Sequence, residues 1–173
     1  PFFEVLLPMG ISFYTFQTMS FSIDVYNDKI KPEKHLGIFA LYVSYFPQLV
    51  AGPIERASHL LPQIKNFHAI HWSNISIGFR WIILGLIKKV VIADRLALYT
   101  DSVYNNPSNF GALTLVLATM FFAFQIYCDF SGYSDIAVGV ARFFNVKLME
   151  NFKMPYFSTS ISETRPPRPV PNT

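Results

Sequence analysis

The sequence predicts an all-α, polytopic membrane protein whose kinked and re-entrant helices surround an intramembrane chamber. Of its 173 residues, 51% are hydrophobic and 17% aromatic, yet 14% are charged. Long apolar runs alternate with polar connections that carry Lys and Arg singly or in pairs, as is ordinary beside membrane spans. The last apolar run contains Asp129 and Asp135. Because each carboxylate at the bilayer centre costs roughly 2.5–3.5 kcal/mol, such groups belong inside protein or a hydrated cavity.

The first apolar run covers residues 2–23 and is long enough to cross a bilayer. Pro8 and Gly10 interrupt it, so we expect a kinked or broken span. Residues 24–35 mix acids with lysines, and this composition predicts a polar loop.

The second apolar stretch, residues 36–54, predicts a helix over residues 36–46 that stops at Pro47. A Gly52-Pro53 pair then turns the chain. Residues 48–53 therefore form either a re-entrant, cavity-lining segment or the end of a helix at the membrane interface.

The third region, residues 59–72, is amphipathic and contains three of the four histidines. His68 and His71 stand three apart, but no third ligand of matching spacing lies nearby, so we expect no metal site. Residues 75–92 then predict a span, in which Gly78 and Gly85 form a small-residue face suited to close helix packing.

Lys88 and Lys89 cut this apolar run. They are expected at the cytoplasmic interface or snorkelling towards it, whereas residues 100–109 have no Lys or Arg and are expected outside. Only a short stretch separates the two regions. Either both lysines are therefore buried in protein, or the segment around Leu96 is a short half-span.

The last apolar element, residues 110–144, would be about 52 Å long as one helix, against a hydrocarbon core of about 30 Å. A tilt, kink or interruption is therefore expected. On a continuous helix its polar residues cover two faces, so either protein encloses the helix or it breaks near Gly132. The alternative to a chamber is an ordinary buried helix pair whose carboxylates meet Lys or Arg.

Residues 127–163, YCDFSGYSDIAVGVARFFNVKLMENFKMPYFSTSISE, resemble the signature block of the membrane-bound O-acyltransferase family, in its alginate O-acetylation branch. Similar family stretches occur at residues 7–26, 46–63 and 85–97. The resemblance implies a partial transmembrane domain of that family over residues 1–163. It also implies a multi-pass protein of the bacterial inner membrane that moves acetyl groups towards polysaccharide hydroxyls.

The donor that the resemblance implies is acetyl-coenzyme A, used as a substrate with no bound cofactor, and the implied partner is a periplasmic acetyl-transfer protein. Five residues are expected to line or brace the substrate tunnel: Gln125, Asp129, Ser131, Tyr133 and Asp135. Three more are expected near its cytoplasmic mouth: Lys147, Asn151 and Tyr156.

The match to the family stops at Glu163, where the family continues to its catalytic histidine. Residues 164–173, TRPPRPVPNT, predict an extended, disordered, proline-rich tail instead. The start at Pro1 and this change of character suggest an internal fragment with a truncated or frame-shifted end. General-base assistance is worth typically 10²–10⁴-fold, so we expect the chain as written to be inactive.

Other function classes are weighed against this interpretation. The basic residues form no stripe, so nucleic acid is not an expected partner. The single cysteine, Cys128, excludes an internal disulfide and a cysteine-based zinc cluster. Two alternatives stay open: a transporter or channel whose interior carboxylates bind a cation, and a D-alanyl transfer homologue within the same family.

Overall fold

The computed structural model describes residues 11–48, 52–53, 55–66 and 69–149, and the regular structure within these ranges is entirely helical. This confirms the all-α prediction. Six α-helices occur there: α1 (Ile11–Tyr26), α2 (Leu36–Val43), α3 (Ala57–Lys65), α4 (Trp72–Leu86), α5 (Asp94–Tyr104) and α6 (Ala112–Phe143). A π-helical segment, Ile87–Ala93, joins α4 to α5, and short 3-10 turns occupy Phe46–Gln48 and Pro107–Asn109.

The centre of the fold is an antiparallel helical hairpin. Its first arm is the unbroken run of α4, the π-helical segment and α5, and its second arm is α6, which packs along all three. The turn between the arms contains the 3-10 segment Pro107–Asn109. α6 has 32 residues and is therefore about 48 Å long.

Glycines let the two arms approach backbone to backbone. A Cβ atom added to Gly85 would lie 2.5 Å from the carbonyl oxygen of Gly132, and one added to Gly78 would lie 2.5 Å from that of Gly139. The two glycines of each helix are seven residues apart, so the close contact between the helices repeats every second turn. The expected small-residue face of α4 is confirmed, and α6 presents a matching face.

A hydrophobic core joins the first three helices to the end of α6. Buried side chains of α2 and α3 meet those of the last turns of α6 and of the chain that follows it. The members of this core are Tyr42, Tyr45, Ala57, Leu60, Leu61, Val138, Ala141, Val146 and Leu148. The core therefore fixes the position of α3 relative to the C-terminal end of the hairpin.

Two boundaries near the N-terminus differ from the sequence-based expectation. Helix α1 continues to Tyr26, so Asp24 belongs to its last turn and is buried, with Lys29 Nζ 3.8 Å from its carboxylate. The predicted loop therefore starts later, because this carboxylate has a partner within reach. Helix α2 ends at Val43, before the expected Phe46, and Ser44 closes it by donating from its backbone N–H to the Ala40 carbonyl.

The expectation that residues 100–109 form an outer loop is wrong for residues 100–104, which are helical. Helix α5 continues to Tyr104 because its polar side chains find partners on α6: Thr100 Oγ1 donates to Gln125 Oε1 at 2.7 Å, and Tyr104 Oη donates to Thr119 Oγ1 at 3.2 Å. The segment around Leu96 is thus part of the long first arm.

Helix α6 runs through Gly132 without a break, so of the two alternatives for this element the interruption is wrong. The irregular backbone lies opposite, in the π-helical segment. Among the residues that the structure describes, α6 is the one helix that is long and apolar enough to cross a membrane. The multi-pass topology and the re-entrant segment stay predictions, and the proline-rich tail at residues 164–173 lies outside the described ranges.

The close approach of the arms generates a first prediction. Replacing Gly85 by Ala places a methyl group against the Gly132 backbone and Ile136, so the helices must separate. Overpacking of this kind costs roughly 1–3 kcal/mol, more than the gain in helix propensity. We expect a lower thermal unfolding midpoint for Gly85→Ala in lipid nanodiscs.

The matched control is Gly111→Ala, because a Cβ atom there meets nothing within 4 Å. Gly111 is the N-cap of α6, so this change should cost less than about 1 kcal/mol. Equal unfolding midpoints for the two variants would contradict the close packing.

Candidate functional site

An ion pair connects the two arms of the hairpin at their middle. Lys88 Nζ lies 2.5 Å from Asp135 Oδ2 and donates to Ser131 Oγ at 3.0 Å. The Asp135 side chain is 14% exposed and Ser131 is fully buried. The ammonium group therefore compensates a carboxylate that would otherwise be costly inside an apolar helix pair.

The next lysine makes a second pairing. Lys89 Nζ lies 2.5 Å from Asp129 Oδ1 and 3.1 Å from Asp94 Oδ1. All three side chains are about half exposed in this chain. We refer to the six residues of the two pairings as the lysine–carboxylate cluster: Lys88, Lys89, Asp94, Asp129, Ser131 and Asp135.

Local sequence explains why the cluster forms where the π-helical segment faces Gly132 of α6. Lys88 and Lys89 fall in the π-helical segment, and π-type turns concentrate where side chains are redirected for a specific role. Gly132 on α6 lies opposite them: a Cβ atom there would be 3.0 Å from the Lys89 backbone nitrogen. The missing side chain allows both lysines to reach carboxylates on either side of Gly132 along α6.

The remaining tunnel candidates on α6 behave differently. Gln125 accepts a hydrogen bond from Thr100, which is completely buried, so it contributes to the same inter-arm contact further along the hairpin. Tyr133 is partly buried and makes no hydrogen bond to the cluster within the described part of the chain. The structure thus brings Asp129, Ser131 and Asp135 together through the two lysines. A role in lining a tunnel stays a prediction for all five candidates.

The candidates expected at the tunnel mouth are not part of this cluster. Lys147 follows α6, and its side chain is exposed while its backbone is hydrogen-bonded to Gln63 of α3. Asn151 and Tyr156 lie outside the residues that the structure describes.

A second polar site lies beside Lys147, and sequence reasoning did not single it out. The Glu55 side chain is completely buried, with Oε2 2.9 Å from His59 Nδ1, and Oε1 accepts a hydrogen bond from the Met149 backbone N–H. Burial raises the pKa of the Glu55 carboxyl, and the hydrogen bonds from Met149 and His59 oppose that rise. The signal in the sequence was an acidic residue two positions after the Gly52-Pro53 pair, at the end of an apolar stretch.

For the two lysines of the cluster, the sequence left open a position at a membrane interface and burial within protein. The structure places both in the middle of the first arm, facing α6, and their depth in a membrane stays a prediction. The alternative of a helix pair whose carboxylates meet lysines describes the observed contacts. Within the described ranges no three His, Cys, Asp or Glu side chains form a possible metal site.

Comparison with known proteins places these features in a family. The family description "membrane-bound O-acyltransferase family" matches residues 13–164. The matched region includes the hairpin, the lysine–carboxylate cluster and the Glu55 site.

Three curated relatives illustrate the range of similarity. A probable alginate O-acetylase of Pseudomonas putida is 43% identical over 163 residues, covering 92% of this chain and 33% of the relative. A peptidoglycan O-acetyltransferase of Helicobacter pylori is 35% identical over 186 residues, covering 92% of this chain and 35% of the relative. A teichoic acid D-alanyltransferase of Bacillus subtilis is 25% identical over 159 residues, covering 90% and 40%.

The chain spans about a third of the length of the first two of these relatives. The matched residues, 13–164, nevertheless make up most of its own length. The chain therefore belongs to the membrane-bound O-acyltransferase family.

Proposed function

We propose that the chain forms part of an enzyme that, when complete, transfers acetyl groups from acetyl-coenzyme A towards the hydroxyl groups of an alginate-type polysaccharide, at the bacterial inner membrane. The observation that carries this proposal is the 43% identity over 163 residues with alginate O-acetylases. The proposed partner is a periplasmic protein that passes the acetyl group on to the polymer. D-alanyl transfer is the weaker alternative, because the teichoic acid D-alanyltransferases are only 25% and 26% identical.

The lysine–carboxylate cluster supports the proposal through its position rather than through chemistry of its own. Each carboxylate of α6 is paired with an ammonium group, so the cost of placing these two charges within a membrane protein is lowered. In our proposal, Gln125, Asp129, Ser131 and Asp135 brace the wall of the substrate tunnel. Tyr133 lines it, and Lys147, Asn151 and Tyr156 lie near its cytoplasmic mouth.

A cation-binding transporter or channel is less well supported by the same contacts. Carboxylates that bind a transported cation need oxygen atoms free to approach it. In the structure the ammonium groups of Lys88 and Lys89 lie 2.5 Å from oxygens of Asp135 and Asp129. A cation that binds these two oxygens would have to displace the lysines.

The acetyl-transfer proposal can be tested with a chimera. Residues 13–163 of this chain replace the matching segment of the Pseudomonas putida relative, which supplies the rest of an intact enzyme. In a strain lacking that relative's own gene, we expect the chimera to restore acetylation of the secreted polysaccharide, because the segment carries the family signature. The acetyl content of the polymer is measured by NMR.

The intact Pseudomonas putida relative, expressed from the same vector, serves as the positive control. An empty vector sets the background. A chimera that reaches the membrane in normal amounts but leaves the polymer at background acetylation would contradict the proposed function.

A separate prediction concerns the pairing of Lys88 with Asp135. Lys88→Met leaves a mostly buried carboxylate without its ammonium partner, at a cost of roughly 2–4 kcal/mol, somewhat below that of a fully buried pair. Adding Asp135→Leu removes the carboxylate that has lost its contact with Lys88, so the double variant should be more stable than Lys88→Met alone. Urea unfolding of the nanodisc-embedded chain provides the comparison as a double-mutant cycle.

Lys34→Met is the control for loss of a lysine, because Lys34 is exposed in the polar connection between α1 and α2. It should change stability by less than about 1 kcal/mol. If the effects of Lys88→Met and Asp135→Leu simply add, the pair does not stabilise the hairpin as described.

A further inference from the structure

The chain that follows α6 is a segment without regular secondary structure that lies against α3. α6 ends at Phe143, and Asn145 then adopts a left-handed conformation with φ of 58°, which asparagine tolerates better than most residues. Beyond this turn, Val146 and Leu148 are buried while Lys147 between them is exposed. This alternation is the pattern of a strand packed on one side, yet the segment has no neighbouring strand in the described part of the chain.

Gln63 takes the place of a strand partner for Lys147. Its side-chain oxygen accepts a hydrogen bond from the Lys147 backbone N–H at 2.8 Å. Its side-chain nitrogen donates to the Lys147 carbonyl oxygen at 3.1 Å. One amide side chain therefore satisfies both backbone groups of one residue, as a pairing strand would.

Glu55 holds the segment two residues further on. Its Oε1 atom accepts from the Met149 N–H, and its Oε2 atom is fixed by His59 Nδ1 at 2.9 Å. The Tyr42 hydroxyl donates to the Glu55 carbonyl oxygen at 3.5 Å. His59 of α3 thus fixes the Glu55 carboxylate and Tyr42 of α2 fixes the Glu55 backbone, and a buried polar group held on several sides is geometrically specific.

Burial of Val146 and Leu148 alone would not fix this arrangement. Hydrophobic contact is non-directional, so a two-residue slip could still place apolar side chains on the core. The hydrogen bonds from Gln63 and Glu55 select particular backbone groups, Lys147 and Met149. They therefore set the register of the segment as well as its depth.

We propose that Glu55 and Gln63 are positioning residues that fix the backbone of residues 147–149, directly before the sequence stretch with Asn151 and Tyr156. This inference rests on the proposed function, because that stretch is expected at the mouth of the substrate tunnel. Neither residue contacts the reacting atoms; both act through the backbone of residues 147–149.

We refer to the hydrogen bonds of Gln63 and Glu55 with residues 147–149 as the tether. Hydrogen exchange tests it directly in the full chain, reconstituted in nanodiscs. Gln63→Met preserves the size of the side chain but removes both hydrogen bonds to Lys147. We expect the Lys147 amide to exchange on the order of tenfold faster. Glu55→Gln retains an oxygen that accepts from Met149, so its Met149 amide should exchange within about twofold of the original rate, while Glu55→Met should speed it.

Lys65→Met is the matched control on the same helix. Its ammonium group pairs with Glu33 and not with residues 147–149, so exchange there should be unchanged. Because Gln63 is only partly buried, Gln63→Met should fold even if Glu55→Met does not. Unchanged exchange at Lys147 in Gln63→Met would overturn the inference.

Kinetics in the chimera separates positioning from general stability. We expect Gln63→Met to lower kcat with little change in the KM for acetyl-coenzyme A and in the unfolding midpoint, and Glu55→Gln to retain most of the activity that Glu55→Met loses. Faster exchange with an unaltered kcat would refute the positioning role. A parent chimera without activity contradicts the proposed function instead, and the exchange measurement alone then decides whether the tether exists.

Discussion

The contact of Lys88 with Asp135 depends on how closely two helices approach, and the rest of the hairpin depends on that contact. A carboxylate in an apolar helix needs a partner of opposite charge or a hydrated surrounding. The partner is within reach because Gly85 and Gly132 remove side chains from the crossing next to it. Close packing and charge compensation are therefore one constraint: widening the crossing would also separate the ion pair.

The π-helical segment explains how adjacent lysines serve different carboxylates. Lys88 points to Asp135 and Ser131, whereas Lys89 reaches Asp129 and Asp94. The irregularity expected in α6 is found instead in the arm opposite, so α6 keeps its regular backbone along its whole length. A regular helix presents the carboxylates at fixed spacing, and the neighbouring arm adapts to them.

The sequence was sufficient to predict what depends on local chemistry. Helical class followed from long apolar runs, and the small-residue face followed from the spacing of Gly78 and Gly85. The sequence did not identify Lys88 as the partner of Asp135, because the antiparallel register of two helices is a tertiary property. For the same reason, Thr100 was assigned to a loop: its helical position depends on the hydrogen bond to Gln125.

The two polar sites are connected through α6. Its C-terminal turns belong to the hydrophobic core that also contains Leu60 and Leu61 of α3, and the ion pair anchors the same helix about one to two turns earlier. A change in the register of the hairpin would therefore move Val146 relative to α3, and with it the backbone groups that Gln63 and Glu55 bind. The ion pair and the hydrogen bonds of Gln63 and Glu55 thus hold the chain between Asp135 and Met149 at two points. Neither contact can shift along the chain without straining the other.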